Sequence, residues 1–223
     1  MKVSIIIPCW NQAQYLTEAI ESVLGQTYND IEIIVINDGS PDNTKEVAGK
    51  YSTVKLINQV NKGLSSARNT GIMNSTGDYI LPLDADDKLL PDCVRRLVDV
   101  AIDTNADIIA PSFVEFGMSN APVILMHNPT IEDFKVGNRL PYFSMVKKEA
   151  LLEVGGYSPR MVHGYEDLHL WFDLLSRGKT LITLPSQLAM YRTKENSMIS
   201  TAKKHHLELM NQIYKDFKEV WKS

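Results

Sequence analysis

The first half of the chain alternates short β-branched runs with helical patterns, and few architectures accept that alternation other than a parallel sheet wrapped by helices. Val3 to Ile7 reads as a buried strand, and Ile31 to Ile36, Val54 to Asn58 and Tyr79 to Leu83 as three more. Between the first two, Leu16, Ala19, Ile20, Val23 and Leu24 recur at three- and four-residue spacing, the apolar stripe of an amphipathic helix, with Asn11 available to cap it. Turn formers from Asn37 to Asn43 close the second strand, after which Thr44 to Lys50 is expected to be helical, as is Ser65 to Met73 after the third.

Beyond Pro91 the pattern loosens: a helix to about Asp103, a strand from Asp107 to Val114, then irregular segments to Lys147. Periodicity returns as a helix from Glu166 to Leu175, strands near Thr180 to Leu184 and Leu188 to Tyr191, and a final helix from about Thr201. With 223 residues, 44% of them hydrophobic, and neither repeats nor a low-complexity linker, this predicts one α/β domain over residues 1–200, followed by a C-terminal helix, 201–223. Its nucleotide-type half would end at about residue 104 and an acceptor-side half would follow, residues 105–200. Leu207, Met210, Tyr214, Phe217 and Trp221 form a narrow seam on the last helix. That seam suits packing on its own domain, or a homodimer, peripheral membrane or following-domain contact.

A net charge of -4 gives no broad basic field, which argues against a nucleic-acid partner. Cys9 and Cys93 suggest neither a disulfide framework nor a thiolate metal site, so a reducing compartment is expected. The apolar start is too short for a signal-peptide core, and no run approaches a membrane span, so the expected location is cytoplasmic, at most peripheral to a membrane face.

In open α/β sheets, ligands lie outside the carboxyl ends of the strands, and the informative residues cluster there. Pro8 and Trp10 follow the first strand, Asp38 the second, Lys62 the third, and Asp84, Ala85, Asp86 and Asp87 the fourth. Asp84 and Asp86 flank a small residue, a pattern suited to Mn²⁺ or Mg²⁺ shared with substrate phosphates, although an acidic turn before a helix would look the same. Asp38 can accept from a base N–H or simply form a turn; Trp10 can stack on a base or pack in the core. Lys62 and Arg68, around a helix start, suit phosphates or bare solvent. Neither a glycine-rich dinucleotide fingerprint nor a P-loop occurs, which weakens dehydrogenase and kinase readings. In the second half, Gly155-Gly156-Tyr157 precedes Glu166 and Asp167, a carboxylate pair able to deprotonate an acceptor hydroxyl or merely complement a helix N-terminus. His127, His163 and His169 stand apart, and the adjacent His205 and His206 make no metal site.

In order, the strings IIIPCWNQAQYL, IIVINDGSPDNT, NKGLSSARNTGI, GDYILPLDADDKL and GYEDLHLWFDLLSRG resemble those of the inverting family 2 glycosyltransferases. The resemblance implies a single-domain GT-A fold, with a Rossmann-like mixed central sheet flanked by helices. It further implies that Pro8, Trp10 and Asp38 hold the nucleotide base, that Arg68 contacts the nucleotide, and that Asp84 lies near ribose and donor sugar. Asp86 would ligate Mn²⁺ or Mg²⁺, Asp167 would be the catalytic base, and Glu166 would orient or bind the acceptor. Gly156 and Tyr157 would border the acceptor cleft. Two positions depart from the family: Lys194 stands where a histidine is common after the Tyr-Arg pair, and His169 where a carboxylate is common. Lys194 becomes a candidate for the donor phosphates, since a protonated lysine cannot ligate metal but can pair with diphosphate.

The implied reaction is transfer of a sugar, with inversion, from a nucleotide diphosphate sugar, UDP-linked by expectation, to a hydroxyl of a glycan or lipid-linked acceptor. Nucleotidyl transfer onto a sugar phosphate, or a nucleotide-sugar-binding module without turnover, would use the same strand-end pocket.

Overall fold

The computed structural model describes residues 1–195 and 198–222; Asn196, Ser197 and Ser223, which fall within the expected domain and C-terminal helix, lie outside the described residues. The expected alternation is present as β1 (Val3–Cys9), α1 (Ala13–Leu24), β2 (Ile31–Asp38), α2 (Thr44–Ala48), β3 (Val54–Gln59), α3 (Leu64–Asn74) and β4 (Tyr79–Pro82). There follow β5 (Lys88–Leu89), α4 (Cys93–Thr104), β6 (Ile108–Gly117), β7 (Pro122–Val123), α5 (Ile131–Phe134), β8 (Met145–Lys147) and α6 (Lys148–Glu153). The chain continues through α7 (Glu166–Ser176), β9 (Leu181–Thr193), α8 (Met198–Lys204) and α9 (His206–Asp216). The α/β fold is thus a single mixed sheet in the order β3-β2-β1-β4-β8-β6-β9-β5, with β7 on β6, covered by helices.

Strand direction decides where the chemistry can gather. β1 pairs in parallel with β2 and β4, and β2 with β3. β8 is antiparallel to both β4 and β6, so β6 runs with the first four strands, and β9 runs parallel to β6. The carboxyl ends of β1 to β4 and of β9 therefore share one edge of the sheet.

Alternation along β1 sends successive side chains to opposite faces. Ile5 and Ile7 join Leu16 and Ile20 of α1 and Leu97 of α4, whereas Ile6 joins Ala67 and Ile72 of α3 and Trp171 of α7. Each such fully buried aliphatic side chain contributes about 1.5–3 kcal/mol relative to exposure. Both cysteines are free and buried.

Four details differ from the sequence expectations. Asn11 does not cap α1; it adopts φ 54°, and the free amide of Ala13 is met by Asp42 Oδ2 at 2.8 Å. The two strands expected near Thr180 and Leu188 are one strand, β9, because Pro185, which has no N–H, falls where the register against β6 shifts between Pro111 and Ser112. The irregular stretch to Lys147 contains the short elements β7, α5 and β8, with β5 before it and α6 after it also unforeseen, and the stability of all five comes from tertiary packing rather than from a periodic pattern.

The final helix is broken at His205, and its buried stripe is Leu209 and Ile213. Leu207, expected in the seam, is 77% exposed, while Phe217 and Trp221 stack on Phe172 of α7 at 5.7 and 4.8 Å. His169 explains its own presence here: its Nε2 lies 3.0 Å from Asp216 Oδ2 and ties α7 to α9. Among the described residues no helix is long and apolar enough to cross a membrane.

Candidate active site

The shared strand edge opens into a pocket of about 570 Å³. Its walls include Pro8 and Trp10 from the end of β1, Asp38 from β2, Asn61 and Gly63 after β3, and Asp84, Ala85 and Asp86 after β4. Tyr191, Arg192 and Lys194 reach it from the end of β9. Trp10 is 52% exposed, so it presents its ring to the pocket rather than to the core. The pocket spans the boundary between β1 and β4, where the strand order turns back on itself, which is where open α/β sheets bind ligands.

Asp38 is almost enclosed, and its carboxylate is largely occupied. Oδ1 accepts from Gln59 Nε2 at 2.7 Å and from the Lys62 amide at 2.9 Å, and Oδ2 accepts from the Gly63 amide at 2.9 Å. It fixes the loop after β3 and keeps a lone pair for one further donor. Gly39 must be glycine: φ is +65°, and a Cβ there would meet the Asn61 amide nitrogen at 2.6 Å. Lys62 offers this site its backbone amide, and its side chain is exposed.

The turn after β4 is held from all sides. Asp87 is buried, accepting from the Tyr142 hydroxyl at 2.5 Å and from the Arg192 amide at 2.6 Å. The same hydroxyl accepts from the Asp84 amide at 2.8 Å, and Arg192 Nε donates to the Asp86 carbonyl at 2.8 Å. Burial, then the charges of Asp86 and Asp84, raise the Asp87 carboxyl well above its ordinary range. Burial likewise pushes Asp84 up to about 6, with Arg68 pulling against it and Asp86 adding to it. Sequence reasoning missed Tyr142 and Arg192 and gave Asp87 no role of its own. The third aspartate of the Asp84-Ala85-Asp86-Asp87 turn and the Tyr191-Arg192 pair were the available signals.

Arg68, expected at the nucleotide, is enclosed at 1% exposure and is not among the pocket's walls. Its Nη2 donates to Asp84 Oδ1 at 2.8 Å and its Nη1 to Glu166 Oε1 at 2.7 Å. The guanidinium lies 4.8 Å from the Tyr142 ring centroid and 5.1 Å from that of Tyr157. One side chain therefore bridges the turn after β4 to the start of α7. Next to it Asn69, also missed, clasps the loop between α6 and α7: its Nδ2 donates to the Tyr157 carbonyl and its Oδ1 accepts from the Tyr157 amide, both at 2.8 Å. Gly156, with φ +77°, lets Asn69 approach, since a Cβ there would stand 2.4 Å from Asn69 Oδ1.

At the start of α7, Tyr165 takes φ 61°, a conformation that non-glycine residues adopt mainly where the surroundings impose it. Glu166, buried, faces Arg68. Asp167 accepts from the Leu168 amide at Oδ1 and from Asn138 Nδ2 at Oδ2, both at 2.7 Å. Burial, then the charge of Glu166, pushes Asp167 up to about 7, against the opposing pulls of the Leu168 amide, Arg68 and Asn138. That places a carboxyl near the proton affinity suited to a general base at neutral pH. Glu166, Asp167, Gly156 and Tyr157 are not pocket walls; of these, Glu166 is joined to the pocket wall through Arg68 and Asp84.

Toward a divalent cation, the described residues offer little beyond Asp86. Among them no three of His, Cys, Asp and Glu converge. Asp84 faces Arg68, and Asp86 Oδ2 is 2.5 Å from Lys194 Nζ. This donor set fits an ion that takes most of its ligands from phosphate oxygens and water, as Mg²⁺ does.

The Glycosyl transferase family 2 sequence profile matches residues 4–164. Glycosyltransferase GlyG of Streptococcus pneumoniae is 27% identical, with 89% of this chain and 73% of GlyG aligned. The uncharacterized glycosyltransferase EpsJ of Bacillus subtilis is 44% identical over 50% of this chain and 33% of its own. The Staphylococcus aureus TarS 1–349 structure in complex with UDP-GlcNAc superposes with a TM-score of 0.82 at 18% identity, over 96% of this chain and 65% of TarS. This chain thus spans about a third of EpsJ and just under two thirds of that TarS chain, whose likeness establishes the GT-A fold. With the profile running from β1 to the residue before α7's cap, the chain belongs to glycosyltransferase family 2.

Proposed function

We propose that this chain transfers a sugar from a UDP-linked donor to a hydroxyl of a glycan or lipid-linked acceptor, inverting the configuration at C1. The observation that carries the proposal is the Arg68 bridge, which joins the Asp84 side of the pocket to Glu166, beside a carboxyl whose proton affinity is set near neutrality. The likeness to a TarS structure holding UDP-GlcNAc supports the donor class.

In this mechanism Trp10 stacks on the base while Asp38 accepts from its ring N–H. Asp167 removes the acceptor's hydroxyl proton as that oxygen bonds to C1. The bond from C1 to the diphosphate breaks, and its electron pair leaves with the nucleoside diphosphate. Lys194 stabilises the charge that develops there. Gly156 and Tyr157 border the acceptor, and Glu166 holds Arg68 in place. Mn²⁺ or Mg²⁺ would be held by Asp86, beside Asp84, and when bound supplies positive charge to the departing diphosphate.

The test is incubation with a panel of nucleotide sugars, following release of nucleoside diphosphate with and without acceptor hydroxyls. Acceptor-dependent release of UDP that Asp167→Asn abolishes is the expected result. Release of pyrophosphate from nucleoside triphosphate and sugar phosphate would instead identify nucleotidyl transfer, and binding without turnover a carrier module.

A further inference from the structure

The aspartates of the turn after β4 all have partners inside the protein. Asp84 meets Arg68, and Asp87 meets the Tyr142 hydroxyl and the Arg192 amide. Asp86 meets Lys194, and both line the pocket. The ammonium therefore stands against the carboxylate that a cation entering the pocket would need.

Lys194 is also held in place. It follows Thr193, the last residue of β9, which pairs with Gly117 at the end of β6 and whose hydroxyl donates to the Phe116 carbonyl at 3.1 Å. Its Nζ lies 5.2 Å from the centroid of the Tyr15 ring. An ammonium has three donors, and its bond to Asp86 leaves two for phosphate oxygens. A dication bound at Asp86 would have to displace this ammonium or sit beside it, and like charges repel.

We propose that Lys194, anchored by Asp86, supplies the positive charge at the donor diphosphate, so that donor binding does not require a divalent cation. This rests on the donor pocket proposed for UDP-sugars. Lysine binds phosphate as a point charge without metal, and here the sheet fixes its position in advance.

Calorimetric titration with UDP, in EDTA and in Mn²⁺, of the wild-type protein, Lys194→Met and Lys194→Arg tests it. The wild-type affinity should agree within about threefold between the two media. Lys194→Met should lose about tenfold or more in EDTA, as expected for a lost charge-assisted hydrogen bond, and regain most of it in Mn²⁺ because Asp86 is freed. Lys194→Arg should keep its binding in EDTA. Matching circular dichroism and thermal midpoints would show that the variants are folded. Wild-type binding in Mn²⁺ that disappears in EDTA overturns the proposal, as does Lys194→Met binding in EDTA like the wild type. Absence of wild-type binding to UDP in either medium would instead overturn the donor pocket itself, and this proposal with it.

Discussion

The two regions proposed to hold the donor and the acceptor are built differently. Most walls of the proposed donor pocket come from the consecutive ends of β1 to β4, in chain order from Pro8 to Asp87, and Tyr191, Arg192 and Lys194 join them from the end of β9. The acceptor side depends on partners distant in sequence: Arg68 with Glu166, Asn69 with Tyr157, Asn138 with Asp167. Substitutions on the donor side should therefore act mainly on nucleotide affinity, and those on the acceptor side on turnover. Arg68, shared by both, should affect each.

The largest effect is expected at Asp167. Asp167→Asn should lower kcat by about 10²–10⁴, the usual contribution of a general base, and leave UDP affinity unchanged. Steady-state rates beside calorimetry would show this, and an equal loss in both quantities would erase the distinction between the two sides. Arg68→Met leaves Asp84 and Glu166 facing each other without their buried counter-ion, which should cost about 3–5 kcal/mol of unfolding free energy and weaken both binding and turnover. Denaturant titration measures the first, and a stability like that of the wild type would show that the bridge does not join the regions.

A smaller change is expected from Trp10→Ala, confined to the donor side: nucleotide binding weaker by about 1–3 kcal/mol, the range for stacking of a base on an aromatic ring, with kcat at saturating donor nearly constant. The smallest concerns pH. Asp167 must be ionised to accept a proton, so kcat/KM should rise with pH through about 7. Asn138 donates to Asp167 and favours its charged form. Asn138→Ala should therefore move that limb upward by about half to one pH unit. A pH profile that kept its midpoint would detach Asn138 from the acceptor side.

The same contrast explains how much of the site was legible beforehand. Trp10, Asp38, Asp84 and Asp86 announce themselves because a strand followed by a turn fixes where the next residues point. Arg68 sits in a helix and could be counted as a strand-end cation, but not seen to turn under the pocket. Tyr142 and Asn138 lie in the segment where hydrophobic periodicity lapses. His169 had no account until Asp216, 47 residues further on, met it across two helices.

The sequence by itself determined the parallel start of the sheet and the edge at which the candidate site residues emerge, because these follow from short-range periodicity and from residues adjacent to strands, and its five ordered motif strings carried the resemblance to the family. The tertiary structure alone decided how the carboxylates are paired. Whether Asp86 faces a free pocket or Lys194, and whether Arg68 stands free or joins Asp84 to Glu166, depends on which distant side chains the sheet and its helices force together. Once charged groups are buried, these partners, rather than the groups themselves, fix their protonation and their role.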